Sequence, residues 1–220
     1  MFATVFVGFA RSFFLRPWFP SWPAPSEPVF YVHGALFTGW LVLLIVQAVL
    51  VGARRIDVHR KLGWWGAALA LAMVGVGTYG ALVAARRPTG FTGIPVPGLQ
   101  FLVIPVTDML LFASFTGLAI ATRAKPQSHK RWMLLATINL LTAGIARWPG
   151  VLGGSPLLFF GLTDLFVVAL AAWDLQSRHR VHPATLVGGL VLVASQPPRL
   201  AVSGTAAWLA FARWAVGLLG

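Results

Sequence analysis

The sequence contains no cysteine. That excludes disulfides, thiolate nucleophiles, c-type haem attachment and cysteine-ligated iron–sulfur clusters. Charge is also scarce: 10% of the 220 residues are Asp, Glu, Lys or Arg, against roughly 25% in an ordinary soluble domain. Only five residues are acidic. A water-facing surface cannot be built from so few charges. The chain also lacks a Gly-rich phosphate loop, a Gly-x-Ser-x-Gly elbow, a His-Glu-x-x-His pair and any lipidation signal, so no common catalytic motif names a reaction.

What is present is apolar. The chain is 58% hydrophobic with a mean hydropathy of +0.80, a composition that suits a bundle facing lipid. Its 17 Lys and Arg residues give a formal net charge of +12. In a soluble protein such an excess points to nucleic acid. Here the basic residues cluster at the ends of apolar runs, the pattern of the positive-inside rule. The expected partner is therefore the lipid bilayer and not nucleic acid. The first residues are apolar but carry no basic n-region and no small-residue cleavage site, so they read as a first span and not as a signal peptide.

The expected fold is all-α: a polytopic transmembrane helical bundle of about seven spans, with six to eight as the range, short loops and one integral membrane domain over 1–220. The spans read as 2–19, 29–53, 62–85, 99–122, 131–147, 155–172 and 184–200. The first is interrupted by Arg11 and Arg16 and runs into a Pro- and Trp-rich connection reaching Pro28. Trp64 and Trp65 sit at a span start, as interfacial anchors do. The last apolar stretch, 206–219, is short for a crossing and reads as interfacial or as a partial eighth helix.

Ten basic residues, Arg54, Arg55, Arg60, Lys61, Arg123, Lys125, Lys130, Arg131, Arg178 and Arg180, lie in or beside three alternate connections. This places those turns, and the N-terminus, on the cytoplasmic side of a bacterial inner membrane. A weak repeat at an offset of 70 residues sets Arg55, His59, Arg60 and Lys61 against Lys125, His129, Lys130 and Arg131. Duplication of a helical hairpin explains it, and so does a separate need for basic helix starts, with Asp57, Ser128 or His182 near the caps and Pro183 at a first helical position.

Two constellations could carry chemistry. In the outer half of the membrane, His33 lies about 6 Å into its span, Asp108 and Asp164 about 14 Å, and Arg147 and Arg199 about 24 Å from cytoplasmic starts, at 1.5 Å per residue. Ionisable groups at such depth face the bundle interior or pair with one another. The expectation is that Asp108 and Asp164 are matched with Arg147 and Arg199. With Gln196 they would line an outward-opening cavity for a small anionic or quinone-like ligand, or relay protons. The plain alternative is an ion-paired lock that orients helices.

At the cytoplasmic face, His59, His129 and either His179 or His182 mark three helix starts. Three imidazoles would suit zinc with an open fourth position, and two would suit a haem iron. Clustered positive charge and helix N-termini oppose a cation there, which favours capping and lipid-headgroup contact. Gln47, Asn139, Thr38 and Thr137 read as interhelical hydrogen-bonding groups, and Gly34, Gly39, Gly63, Gly66, Gly75, Gly77 and Gly80 as sites of close helix approach. Ser155, beside glycines, reads as a span entry.

Residues 32–63, beginning ValHisGlyAlaLeuPheThrGlyTrp and ending ValHisArgLysLeuGly, resemble a group of small uncharacterised bacterial multi-span membrane proteins. SerHisLysArgTrpMetLeuLeuAlaThr at 128–137 and ValHisProAlaThrLeu at 181–186 fit the same group. The resemblance implies no activity, but it marks His33, Gln47, His59, Asp108, His129, Arg147, Asp164, His182, Gln196 and Arg199 as the positions of interest. More distantly, the histidine-bearing hairpins look like those of membrane b-type cytochromes. That likeness implies a single haem on the cytoplasmic side, since only His33 lies towards the outside. Three function classes follow: a ligand- or redox-cofactor-binding membrane protein, a small transporter or permease, and a non-catalytic assembly factor.

Overall fold

A computed structural model describes residues 1–22 and 27–220, and helix is the only regular structure among them. The chain begins with α1 (Phe2–Phe9), which runs into a π turn (Ala10–Phe14) and a short 3-10 turn (Arg16–Trp18). There follow α2 (Pro28–Gly52), α3 (Ile56–Arg86), α4 (Gly98–Phe101), α5 (Val103–Ala121), α6 (Pro126–Ile145), α7 (Pro156–Arg178), α8 (Pro183–Ala194), α9 (Gln196–Val202) and α10 (Ala206–Gly217). Part of the Pro-rich connection, residues 23–26, lies outside the described residues.

Local chemistry sets the starts. Proline opens α2, α6, α7 and α8, where its missing N–H has no intrahelical role. Ser155 accepts the Leu157 N–H at 3.2 Å and Thr205 accepts that of Trp208 at 3.3 Å, so both serve as N-caps. Ser155 is thus a helix start, as its sequence context implied. Pro197 and Pro198 deprive the chain of two donors, and α9 restarts there as a separate segment.

Five helical stretches are long and apolar enough to cross a membrane: Pro28–Gly52, Ile56–Arg86, Gly98–Ala121, Pro156–Arg178 and Pro183–Val202. Their outward residues are apolar, with Leu71 76% exposed and Val49 63% exposed, a surface stable only against lipid. Trp64 and Trp65 stand outward on α3, in keeping with their expected anchoring role. The expected first span is corrected: its 13 helical residues reach about 20 Å, short of a hydrocarbon core of about 30 Å. The helix of α10 is 12 residues long and falls short for the same reason.

The most enclosed element is α6, with eleven of its 20 residues buried. It packs against α1, α5, α7 and α8. Its start is polar, with Arg131 buried, Ser128 and His129 half-buried and Gln127 and Lys130 exposed, which is why a helix of full spanning length reads as a poor span by hydropathy. Towards its other end, α1 crosses it through two glycines. A Cβ on Gly8 would lie 2.1 Å from the carbonyl oxygen of Gly144, and one on Gly144 would lie 3.2 Å from the Cα of Val5. Trp148 Nε1 donates to the Thr4 carbonyl at 2.9 Å and clips this crossing. Of the glycines expected to mark close contacts, Gly34, Gly66 and Gly77 face neighbouring side chains, whereas Gly39 and Gly75 face open space.

Candidate functional site

Three basic turns meet at one end of the bundle. Arg131, 1% exposed, is ion-paired with the fully buried Asp174, with Nε at 2.9 Å and 3.1 Å from the two carboxylate oxygens. Asp174 also accepts from the Thr185 hydroxyl at 2.6 Å and the His182 N–H at 3.1 Å. Arg131 gives a further pair of bonds to the Gln127 carbonyl and side-chain oxygen, at 2.7 Å and 2.8 Å. One carboxylate thereby joins the start of α6, the end of α7 and the start of α8. Sequence reasoning missed Asp174, because a charge at a span end looks like an ordinary loop residue.

His59 and His129 also meet here, edge to face, with ring centroids 6.3 Å apart. The Nδ1–H of His129 donates to the Ala119 carbonyl at 2.8 Å. With its amide turned to satisfy both neighbours, Gln47 donates to His59 Nδ1 at 2.6 Å and accepts from the Gly63 N–H at 3.2 Å. The paired repeat positions do meet, but they diverge two residues later: Arg131 is buried in the α7 ion pair while Lys61 is exposed.

His182 does not join the other two histidines. Its Nδ1 accepts the Ala184 N–H at 3.1 Å and caps α8, and His179 ends α7 in the left-handed conformation at φ 55°. Among the described residues no three His, Asp or Glu side chains are placed to hold one metal ion, so the three-histidine zinc arrangement is corrected to a histidine pair plus a cap. Burial, then the positive charges of Arg131 and Arg178, hold the His182 pKa below its usual value. The unfolded chain therefore takes up this proton first, and the stability the cap contributes is complete above about pH 6.5 and declines as the pH falls below it. We expect His182→Asn, which caps without titrating, to flatten the fall in melting temperature between about pH 6.5 and 5. An unchanged pH dependence would remove His182 from the cause.

Towards the other end, the expected ion pairs are half realised. Arg199 Nη1 donates to Asp108 Oδ1 at 2.6 Å, both residues being buried, and its Nη2 donates to Ser195 Oγ at 2.7 Å. Asn139 Nδ2 supports the site by donating to the Asp108 backbone carbonyl at 2.8 Å. Asp164 is not matched with Arg147: it accepts from Gln196 Nε2 at 2.7 Å. Arg147 instead turns towards α1, with its guanidinium 4.9 Å from the Phe9 ring centroid and Nη1 donating to its own helix at the Ala143 carbonyl, 2.7 Å. The reason is rotational. Asp164 on α7 faces α9, whereas Arg147 lies past the last turn of α6 on the side that α1 covers.

Between α1 with its π turn, α2, α3, α5 and α6 lies a cavity of about 390 Å³. Its wall is largely apolar and rich in aromatic rings, including Phe9, Phe13, Phe14, Trp22, Phe37 and Phe159. Polar groups interrupt it at Arg11, His33, Thr38, Asp108, Thr137 and Arg147. The His33 ring stacks on Phe37 at 4.0 Å. Trp40 Nε1 donates to Thr137 Oγ1 at 3.1 Å, and that hydroxyl donates to the Met133 carbonyl at 2.9 Å, so Thr137 is the interhelical bond expected of it. Thr38 lines the cavity.

No family model, curated protein or solved structure matches this chain. The site is therefore read from its own geometry. Of the expected outer cluster, His33, Asp108 and Arg147 border the cavity. Arg199 backs Asp108 from α9, and Asp164 with Gln196 forms a separate contact between α7 and α9. The aromatic wall and Arg11 were not anticipated, because the first apolar stretch read as a membrane span and not as the side of a cavity.

Proposed function

We propose that this chain is a multi-pass protein of the bacterial cytoplasmic membrane that holds an amphiphile in the cavity beside α1. The observation that carries the reading is a mainly apolar, aromatic-rich chamber of about 390 Å³ with polar side chains set into its wall. This is the form of a small-molecule site: apolar walls supply affinity, and sparse polar groups orient the ligand. An apolar chain lies along the phenylalanines, and a polar head, anionic or quinone-like, meets His33 and Arg147. With the three basic turns in the cytoplasm, α6 crosses as a further span. The contact of Thr4 with Trp148 then favours an N-terminal helix held in the outer half of the bilayer, in place of the cytoplasmic N-terminus expected from charge alone.

The test is retention of a small amphiphile by protein purified into nanodiscs, read by mass spectrometry of an organic extract. Thr38→Trp, which fills the cavity from α2, is expected to abolish it. Retention unchanged by Thr38→Trp would sink the reading.

A second reading attaches to the basic end. The His59 and His129 rings stand 6.3 Å apart, and the Nδ1–H of His129 is tied to a carbonyl, the bond that orients a metal-binding imidazole. It predicts a Soret band in purified protein that is lost with His129→Ala. A colourless preparation from haem-replete cells would exclude it.

A further inference from the structure

We infer that the head of the bound amphiphile is a phosphate monoester, held between Arg11 and Arg147. The inference rests on the reading that the cavity holds an amphiphile, and it names the chemistry of that ligand's head. Asp108 borders the cavity, but its carboxylate is already matched by Arg199 at 2.6 Å. Arg87 also borders it and is matched by Glu27, with Nε 3.0 Å from Oε1. Two guanidiniums remain, those of Arg11 and Arg147. Among the described residues neither forms a salt bridge. Arg147 is held by the Phe9 ring and a backbone carbonyl. Arg11 rests over Phe19 and Trp22, at 5.9 Å and 5.4 Å.

These two arginines belong to neighbouring pieces of structure. Both line the one cavity, Arg11 from the π turn that follows α1 and Arg147 from just past the end of α6. Stacking on an aromatic face leaves the edge of a guanidinium open, and that edge presents parallel N–H donors which fit phosphate oxygens. The charge selects among heads. A neutral quinone leaves both cations uncompensated, and a carboxylate or phosphodiester leaves one. A phosphate monoester carries about −1.5 to −2 at neutral pH and matches the pair. The aromatic wall then takes the chain that bears it.

The experiment uses the full-length protein in phosphatidylcholine nanodiscs. The probes are dodecyl phosphate, its methyl diester, dodecanoic acid and dodecanol, with binding followed by native mass spectrometry. Dodecyl phosphate is expected to bind about tenfold or more tighter than the other three, and Arg11→Gln and Arg147→Gln each to weaken it about tenfold. Arg123→Gln, at the basic end, is expected to leave it unchanged. Arg11 is exposed, so its variant decides the matter if Arg147→Gln folds poorly. Equal affinity for all four heads, or indifference to Arg11→Gln and Arg147→Gln, overturns the phosphate assignment. If Thr38→Trp still abolishes binding in that case, the amphiphile reading stands alone. If Thr38→Trp leaves binding of every probe intact, that reading fails as well.

Discussion

Asp174→Ala is expected to destabilise the protein by about 3–5 kcal/mol, the range for removing one partner of a buried ion pair. Asp174 is fully buried and serves Arg131, Thr185 and the His182 N–H together. Its loss leaves a guanidinium that is 1% exposed without a counter-charge, and lipid beyond the helices offers no water to replace it. Replacing both partners with apolar residues, Arg131→Met with Asp174→Leu, should recover much of the loss, because no uncompensated charge is then buried. The measurement is denaturant or thermal unfolding in detergent micelles. A double variant as unstable as the single would show that the hydrogen bonds of Thr185 and His182, and not the charge, hold the three helix ends.

The second large effect concerns the crossing of α1 over α6. A Cβ at Gly8 would stand 2.1 Å from the Gly144 carbonyl oxygen, a backbone atom that no rotamer change can move. Gly8→Leu should therefore lift α1 from α6, break the Trp148 to Thr4 bond and cost about 1–3 kcal/mol, in the range for overpacking. Its functional consequence is larger. The π turn that follows α1 supplies Arg11, Phe13 and Phe14 to the cavity, so displacement removes one wall and one of the two uncompensated cations. We expect amphiphile retention to be lost while the α5–α6–α7 core keeps its helicity by circular dichroism. Gly39→Leu is the control, since a Cβ at Gly39 meets nothing within 4 Å. Retention by Gly8→Leu would show that α1 is not part of the site.

The two sites differ in how far they could be read before folding. That His33, Asp108, Arg147 and Arg199 must turn inward followed from the cost of charge in hydrocarbon, and the Asp108–Arg199 pair obeys that cost. Which acid met which arginine did not follow. Each residue turns a helix by about 100° and depth is known only to a turn or so, so Asp164 found Gln196 while Arg147 found Phe9. The histidines of the basic turns show the same limit. Their shared end was legible from the alternation of basic turns, but the separation of His182 as a helix cap depended on the backbone N–H of Ala184.

Composition alone determined the solvent: a chain with five acidic residues and 58% hydrophobic content folds where lipid covers its outer face, and its basic turns gather at one end. Folding in three dimensions decided that the first apolar stretch is a 13-residue helix laid over α6, and that a buried carboxylate at the end of α7 ties three helices together. Both depend on contacts between segments more than forty residues apart in sequence, Arg131 with Asp174 and Gly8 with Gly144. Hydropathy sums over neighbours along the chain, so it registers the medium that surrounds a helix but not the helix beside it.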